Sequence, residues 1–304
     1  MNVAAPHAIS ARMGAADWGQ LLLLSLIWGG SFFLIGVIVG HLPVLSIVAI
    51  RVAVAALVLW AIVLATGRHV PRDAGLWGAF LVMGVLNNAI PFGLIVWAQT
   101  SIPAGLASIL NATTPLFTVL VSTLVLADER AGLMRLAGVA LGLGGVAVMI
   151  GVDELAGHGH GVLPQLAMLG AAISYAWAAA FGRRFRAQGV DPLVTAAGMV
   201  TGTSVVLLPL ALAHDGLPPA APAQVWLAIS LLGLVCTGLA YVLFFRILGR
   251  AGATNISLVT FLVPVSAILL GWLFLDEVLG LPQLLGMAVI GLGLAMIDGR
   301  LLRR

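Results

Sequence analysis

The chain has 304 residues, 62% of them hydrophobic and only 8% charged, with a formal net charge of +3 at pH 7. A soluble domain carries about 25% charged residues, so this composition excludes a water-soluble globule. All 14 basic residues are arginines spread along the chain, which argues against a nucleic-acid-binding patch. The single cysteine, Cys236, excludes an intrachain disulfide.

Apolar runs long enough to cross a lipid bilayer recur along the whole chain. In chain order, the ten predicted spans are 18–39, 43–66, 74–98, 102–127, 132–151, 162–182, 192–213, 224–246, 252–275 and 281–298. The first run is too long for the apolar part of a signal peptide, so we expect it to be retained. The sequence therefore predicts an all-α, polytopic membrane protein whose main surroundings are lipid.

The arginines predict the orientation of the spans. If the N-terminus is cytoplasmic, the inner segments carry every arginine except Arg51, namely Arg12, Arg68, Arg72, Arg130, Arg135, Arg183, Arg184, Arg186, Arg246, Arg250, Arg300, Arg303 and Arg304. The outer loops then carry no arginine and hold Asp153, Glu154, Asp215, Asp276 and Glu277. By the positive-inside rule, both termini are expected in the cytoplasm.

The two halves of the chain repeat each other. Trp28 and Trp177 are 149 residues apart (177 − 28), and the same offset joins Pro43 to Pro192, Trp77 to Trp226, Gly84 to Gly233, Pro115 to Pro264, Gly142 to Gly291 and Gly144 to Gly293. Each half contains five spans, an odd number, so the second half must enter the membrane from the opposite side. We expect two inverted five-helix repeats, 1–151 and 152–304, with a substrate path between them near the bilayer midplane.

Three motifs carry a resemblance to a known family. They are Trp28-Gly29-Gly30-Ser31, the run from Pro115 to Asp128-Glu129, and the run from Pro264 to Asp276-Glu277. The chain resembles the EamA family of the drug/metabolite transporter superfamily and, within it, the YddG-like amino-acid exporters. The resemblance implies ten helices in a bacterial inner membrane, a central cavity lined by helices 1, 3, 4, 6, 8 and 9, and export of small metabolites.

Amides lie inside two apolar spans. Asn87 and Asn88 come just before Pro91, and an amide in hydrocarbon must find a partner. They could bond between helices, bond substrate, or satisfy backbone groups freed by Pro91. Asn111 precedes Pro115 together with Thr113 and Thr114, where the same alternatives stand. We expect Pro91, Pro115 and Pro264 to mark helix kinks with a role in gating.

Aromatic side chains near mid-span are candidates for lining the path. The candidates are Trp28, Trp97, Tyr175, Trp177 and Tyr241, with Ser31 beside them in sequence. The functional interpretation is stacking on an apolar or aromatic substrate, and the structural interpretation is core packing. Tryptophans nearer the span ends are expected to anchor the protein at the membrane interface.

Arg51 is the one charge predicted well inside a span, since Arg135, Arg246 and Asp298 lie close to span ends. It could capture a substrate carboxylate, or it could clamp helices together through backbone carbonyls. The second half has Val200 at the matching position, and it has Cys236 and Thr237 in place of Asn87 and Asn88. The two halves are therefore expected to differ chemically.

Acidic residues and histidines all fall at predicted helix ends or in loops, so we expect no proton relay within the membrane. This favours a facilitated carrier or an exchanger. We expect no cofactor or metal, and a monomer is the default because no large soluble interface suggests an obligate partner. His158 and His160, near Asp153 and Glu154, are interpreted as part of a flexible loop. The leading substrates are amino acids, and broad-specificity drug efflux is the alternative. An intramembrane enzyme is a weaker hypothesis, because it would need a nucleophile or paired carboxylates at depth. A passive channel is the third hypothesis, and it would predict transport without saturation or counterflow.

Overall fold

A computed structural model describes residues 14–126, 131–155 and 161–298, with the backbone alone at 152–155 and 253–254. Several sequence predictions concern residues or side chains outside this part. They are Arg12, Asp128, Glu129, Arg130, Asp153, Glu154, His158, His160, Arg300, Arg303 and Arg304.

The described residues form ten apolar helices and no strand beyond an isolated bridge between Val39 and Leu42. We number the helices α1 (Ala15–Ile38), α2 (Val44–Ala65), α3 (Ala74–Ala98), α4 (Ala104–Val125), α5 (Leu133–Gly151), α6 (Val162–Ala187), α7 (Pro192–His214), α8 (Ala223–Gly252), α9 (Val259–Leu275) and α10 (Leu281–Asp298). Nine of these described helices are long and apolar enough to cross a membrane alone, and α9 is shorter. The prediction of an all-α fold with ten apolar helices is confirmed.

Two of the predicted continuous spans are interrupted. Helix α4 consists of Ala104–Asn111 and Thr114–Val125, with Pro115 near the start of the second part, where its missing N–H costs least. In the second half, Gly252 takes φ 80° at the end of α8, and turn residues 257–258 precede α9. Pro264 lies inside α9, so the interruption there precedes the proline by several residues, which the sequence did not predict.

The outer surface of the helices is apolar. On α1, for example, Leu22, Leu23 and Leu26 are about half exposed, and similar leucines occur on most other helices. Among the described arginines, Arg51 is buried within α2, whereas the others lie in loops or towards helix ends. Such a surface is stable in hydrocarbon and not in water, so these helices span a membrane.

The two repeats pack through two equivalent helix contacts, α3 against α7 and α8 against α2. A Cβ added to Gly84 of α3 would lie 2.3 Å from the carbonyl oxygen of Met199 on α7. At the repeat-related Gly233 of α8, it would lie 2.9 Å from the carbonyl oxygen of Arg51 on α2. Each glycine therefore allows a helix of one repeat to approach the backbone of the other repeat closely. This exchange is what a twofold axis between inverted repeats requires.

Helices α5 and α10 form a reciprocal pair that corrects the repeat register. A Cβ at Gly138 would meet the Gly293 carbonyl oxygen at 2.7 Å, and a Cβ at Gly286 would meet the Gly145 carbonyl oxygen at 2.6 Å. Reciprocity equates Gly138 with Gly286 and Gly145 with Gly293, an offset of 148 (286 − 138). The predicted pairing of Gly142 with Gly291 and of Gly144 with Gly293 is therefore wrong by one residue in this last helix of each repeat.

Candidate functional site

Helices α3 and α8 each contain a widened π-helical segment at repeat-related positions. The segments are Val85–Ala89 and Leu234–Leu239, and both begin directly after the glycines that pack against the other repeat. π-segments are rare and occur frequently at functional sites, because they shift side chains out of the regular helical register. In α3 the segment carries Asn87 and Asn88, and in α8 it carries Cys236 and Thr237.

Pro91 accounts for part of the backbone geometry in α3. In the π register, the residue-91 amide would bond the Leu86 carbonyl, but proline has no N–H to donate. The Ser174 hydroxyl of α6 donates to that carbonyl oxygen instead, at 2.7 Å. Neither asparagine side chain is used for this purpose, so both amides can serve other contacts. Ser174 was not among the predicted site residues.

Tyr241 connects the two asparagines across the repeat boundary. The Asn87 side-chain nitrogen donates to the Tyr241 hydroxyl at 3.0 Å, and that hydroxyl donates to the Asn88 side-chain oxygen at 2.9 Å. Asn88, which has no exposed surface, also donates to the Thr203 hydroxyl of α7 at 3.4 Å. The amides therefore do bond between helices, as one of the predicted alternatives requires.

Arg51 of α2 adds a second polar contact between the repeats, to Thr237 of α8. Its Nε donates to the Thr237 hydroxyl at 2.9 Å, and its guanidinium carbon lies 3.6 Å from the centre of the Phe92 ring. Tyr241 and Tyr175 lie within electrostatic range of its charge. The predicted clamp to backbone carbonyls is thus replaced by a hydroxyl and an aromatic face.

We call this group the central polar cluster and define it as Arg51, Asn87, Asn88, Thr203, Thr237 and Tyr241. It draws on α2 and α3 of the first repeat and on α7 and α8 of the second. Phe92 and Tyr241 are repeat-related, 149 residues apart (241 − 92). Tyr241 belongs to the cluster, and Phe92 contacts its Arg51. The cluster thus lies where the two repeats meet, and its chemistry differs on the two sides.

An aromatic chain leads from the cluster to α1. The Trp28 and Phe244 ring centres are 5.6 Å apart, those of Phe244 and Phe245 are 5.3 Å apart, and those of Phe245 and Tyr241 are 6.3 Å apart. These are ordinary spacings for interacting aromatic rings. Phe244 and Phe245 were not predicted as site residues, because an apolar residue in an apolar span gives no local signal.

The remaining predicted residues are distributed differently. The Ser31 hydroxyl bonds the Trp28 carbonyl within α1, and the Thr113 and Thr114 hydroxyls bond carbonyls of the preceding turn. The Asn111 side-chain oxygen is buried and has no hydrogen-bond partner among the described residues. Tyr175 is partly buried beside the core.

Trp97 and Trp177 are 39% and 45% exposed, and within the described part of the chain they make no aromatic or hydrogen-bond contact with the cluster. The structure does not bring these two tryptophans to the site, and a substrate role for them stays a prediction.

Two cavities of the described structure lie away from the central polar cluster, so neither is the predicted central cavity. The larger, of about 570 Å³, is lined by Arg183, Arg184, Arg186 and Ala187 at the end of α6. The smaller, of about 50 Å³, lies between α2 and α7. Four side chains of the central polar cluster are buried, namely Arg51, Asn88, Thr203 and Thr237, whereas Asn87 and Tyr241 are partly exposed.

The arrangement defines a class of protein: a multi-pass membrane transporter built from inverted repeats, with a polar group between them. The profile of the EamA-like transporter family matches residues 18–151 and 163–298. The chain belongs to this family, and it is a transporter rather than an enzyme.

Relatives agree with the family assignment. The chain is 28% identical to "Uncharacterized inner membrane transporter YedA" of Escherichia coli, over 92% of this chain and 90% of that protein. It is 24% identical to "Uncharacterized transporter YoaV" of Bacillus subtilis, over 91% and 94%. It is 28% identical to the E. coli "Probable amino-acid metabolite efflux pump", over 93% and 94%. A solved crystal structure shares the fold, with TM-score 0.66 and 23% identity over 95% of this chain and 99% of that one.

Proposed function

We propose that this transporter exports small neutral or zwitterionic metabolites, with amino acids, including aromatic and hydrophobic ones, as its leading substrates. The observation that carries this proposal is the central polar cluster at the repeat boundary. Amide, hydroxyl and guanidinium groups suit an amino-acid head group, and the adjoining aromatic chain suits an apolar side chain. The relative named as a probable amino-acid metabolite efflux pump supports the same substrate class.

The proposed mechanism is alternating access, in which the two repeats rock about the cluster. Hydrogen bonds such as Asn88–Tyr241 join the two repeats directly, so substrate groups that replace them would couple binding to relative movement of the halves. The proposal places the protein in the inner membrane as a monomer, with both termini in the cytoplasm. It treats 1–151 and 152–304 as the two moving units.

The energy source proposed is facilitated transport or exchange. Within the described residues, the carboxylates lie at helix ends, for example Asp73, Asp191 and Asp215 at caps of α3 and α7. None is in a position to relay protons through the middle of the bilayer. Uphill transport driven by a pH gradient alone would contradict this part of the proposal.

The testing experiment is counterflow in proteoliposomes. Vesicles containing the purified protein are preloaded with unlabelled amino acids, and entry of labelled Phe, Met, Thr or Ala is followed. Saturable counterflow is expected, strongest for Phe if the aromatic chain contacts the substrate. Absence of counterflow with all four would move the substrate class to drugs or other metabolites, and a leak that does not saturate would indicate a channel.

The site itself is tested by Asn88→Ala, with Gln188→Ala as a matched control because Gln188 is an exposed amide at the end of α6. Asn88→Ala leaves the Tyr241 hydroxyl without its acceptor, and we expect counterflow to fall by about tenfold, the effect of roughly one lost buried hydrogen bond. Equal counterflow by both variants, at equal insertion into vesicles, would place the substrate elsewhere.

A further inference from the structure

Arg51 carries a charge in the protein interior. It is the eighth residue of α2, and it is only 5% exposed. A buried cation loses its hydration, and this cost is large unless an anion compensates it. The groups around Arg51 therefore indicate what kind of ligand could compensate its charge.

The contacts of Arg51 satisfy only part of its guanidinium. Its Nε donates to Thr237, whose hydroxyl in turn bonds the Leu232 carbonyl at 3.0 Å. Phe92 supplies an aromatic face at 3.6 Å, which attracts a cation without neutralising it. A guanidinium has five N–H donors, and in the described part of the chain the four on Nη1 and Nη2 have no acceptor.

No carboxylate of the described residues is within ion-pair distance of Arg51. Most of the described carboxylates have other partners at helix ends. Asp191 pairs with Arg68, Asp17 pairs with Arg250, and Glu277 accepts two backbone amides of α4. The described part of the chain therefore supplies no anion that compensates the charge of Arg51.

We propose that Arg51 binds a carboxylate of the substrate, so that a carboxylate is required for transport and substrates lacking one are rejected. This inference deepens the proposed function and rests on it for the claim of transport. The two free Nη groups match the two oxygens of a carboxylate in a bidentate pair. The repeat-related position is Val200, which is buried and apolar. One arginine without a counterpart selects a single carboxylate, and cationic drugs without one are excluded.

The test compares three probes that share an aromatic ring. L-phenylalanine carries both charged groups, 3-phenylpropionate carries only the carboxylate, and phenethylamine carries only the amine. Each is added as a competitor of labelled Phe counterflow. We expect phenylalanine and 3-phenylpropionate to compete, and phenethylamine to be weaker by about tenfold to a hundredfold, the value of a charge-assisted hydrogen bond. Phenethylamine competing as well as phenylalanine would overturn the inference.

Binding is also measured without transport, so that failure of the proposed function leaves the inference testable. The melting temperature of the purified protein is followed with 3-phenylpropionate or phenethylamine at constant ionic strength. Only the carboxylate should stabilise the unsubstituted protein, and Arg51→Gln should abolish the shift. The control is Arg246→Gln, because Arg246 is an exposed arginine of α8.

The outcomes separate the two claims. A carboxylate shift that Arg51→Gln abolishes and Arg246→Gln retains supports the inference even if no amino acid is counterflowed, in which case the amino-acid proposal alone fails. An equal carboxylate shift in both variants, or no shift in the unsubstituted protein, overturns the inference. If Arg51→Gln does not fold, Arg51→Lys keeps the charge without the bidentate geometry, and it should weaken 3-phenylpropionate binding. Unchanged binding by this variant contradicts the inference.

Discussion

Glu277 and Ala104 are 173 residues apart in the chain, yet Glu277 Oε1 accepts the Ala104 backbone N–H at 2.7 Å. Its Oε2 accepts the neighbouring Gly105 N–H at 3.1 Å. A carboxylate from the end of α9 thus caps the start of α4, where unpaired amides and the helix dipole favour negative charge. The αL conformation of Asp276 turns the chain so that Glu277 reaches this position.

We expect Glu277→Gln to lower the melting temperature of the detergent-solubilised protein. The amide loses the charge and presents an N–H₂ to one of the two donors, at a cost of about 1 kcal/mol for a lost cap. Asp276→Asn is the matched control, because Asp276 is exposed and asparagine tolerates the αL conformation. Equal melting temperatures for the two variants would show that the cap contributes no stability.

Asp215 gives stability a dependence on acid pH. Burial raises the pKa of its carboxyl, but hydrogen bonds from His214 and Ser46 lower it more, so the pKa lies below its ordinary value of 3.8. A depressed pKa contributes stability above the unfolded value and loses it as pH falls through the folded value. The stabilisation from the ionised Asp215 carboxyl is thus at full strength above about pH 5. It is lost progressively as the pH falls below 3.8 and through the lower folded pKa.

The measurement is the melting temperature between pH 6 and pH 3 for the unsubstituted protein and for Asp215→Asn. Ser46 donates to Asp215 through both its amide, at 2.9 Å, and its hydroxyl, at 2.8 Å. We expect the variant to be less stable at pH 6, with the difference shrinking towards pH 3. A constant difference across this range would show that the carboxyl charge is not what stabilises the contact.

The Ser174 hydroxyl should contribute to stability only because residue 91 is proline and has no N–H. Ser174→Ala leaves the Leu86 carbonyl unpaired in the membrane, at a cost of about 1–3 kcal/mol. Pro91→Ala restores a backbone N–H to the helix, so Ser174→Ala should be much less destabilising in that background. The measurement is a double-mutant cycle on melting temperature. Additive effects would show that the hydroxyl is not replacing the missing amide.

Gly291 and Gly293 of α10 should differ in how an added methyl group changes stability. A Cβ at Gly293 would lie 2.5 Å from the Gly138 carbonyl oxygen, whereas a Cβ at Gly291 meets nothing within 4 Å. We expect Gly293→Ala to destabilise the protein by roughly 1–3 kcal/mol through overpacking, and Gly291→Ala to be neutral. Melting temperatures of the two variants measure this, and the opposite ranking would restore the 149-residue pairing of these helices.

Span positions could be predicted from the sequence because hydropathy is a local property. The predicted 43–66 and 74–98 lie within one residue of α2 and coincide with α3. The π-segments of α3 and α8 could not be predicted, since they arise where glycines allow close approach of the other repeat. The single-residue change of register before α5 and α10 was missed for a similar reason: closely spaced glycines fit two offsets, and only the reciprocal contact chooses between them.

The candidate site could be predicted in part. Asn87, Asn88 and Arg51 stand out because polar groups are costly in an apolar span, and the structure brings all three into the cluster with Tyr241. Their partners Thr203 and Thr237 are more than 100 residues away in sequence, so only the fold identifies them. Of the predicted aromatic residues, Tyr241 is in the cluster and Trp28 joins the aromatic chain, whereas Trp97 and Trp177 lie apart from the cluster.

The glycine contacts between repeats also bear on how the protein is made. Gly138 is synthesised 155 residues (293 − 138) before Gly293, the residue whose backbone it packs against. Gly84 of α3 is likewise synthesised before Met199 of α7, whose backbone it packs against. During translation, the first five helices can therefore enter the bilayer before these contacts form, because the Gly84 contact requires α7 and the Gly138 contact requires α10. A nascent chain that stops after residue 151 would expose these small-residue surfaces to lipid and to membrane quality-control proteases.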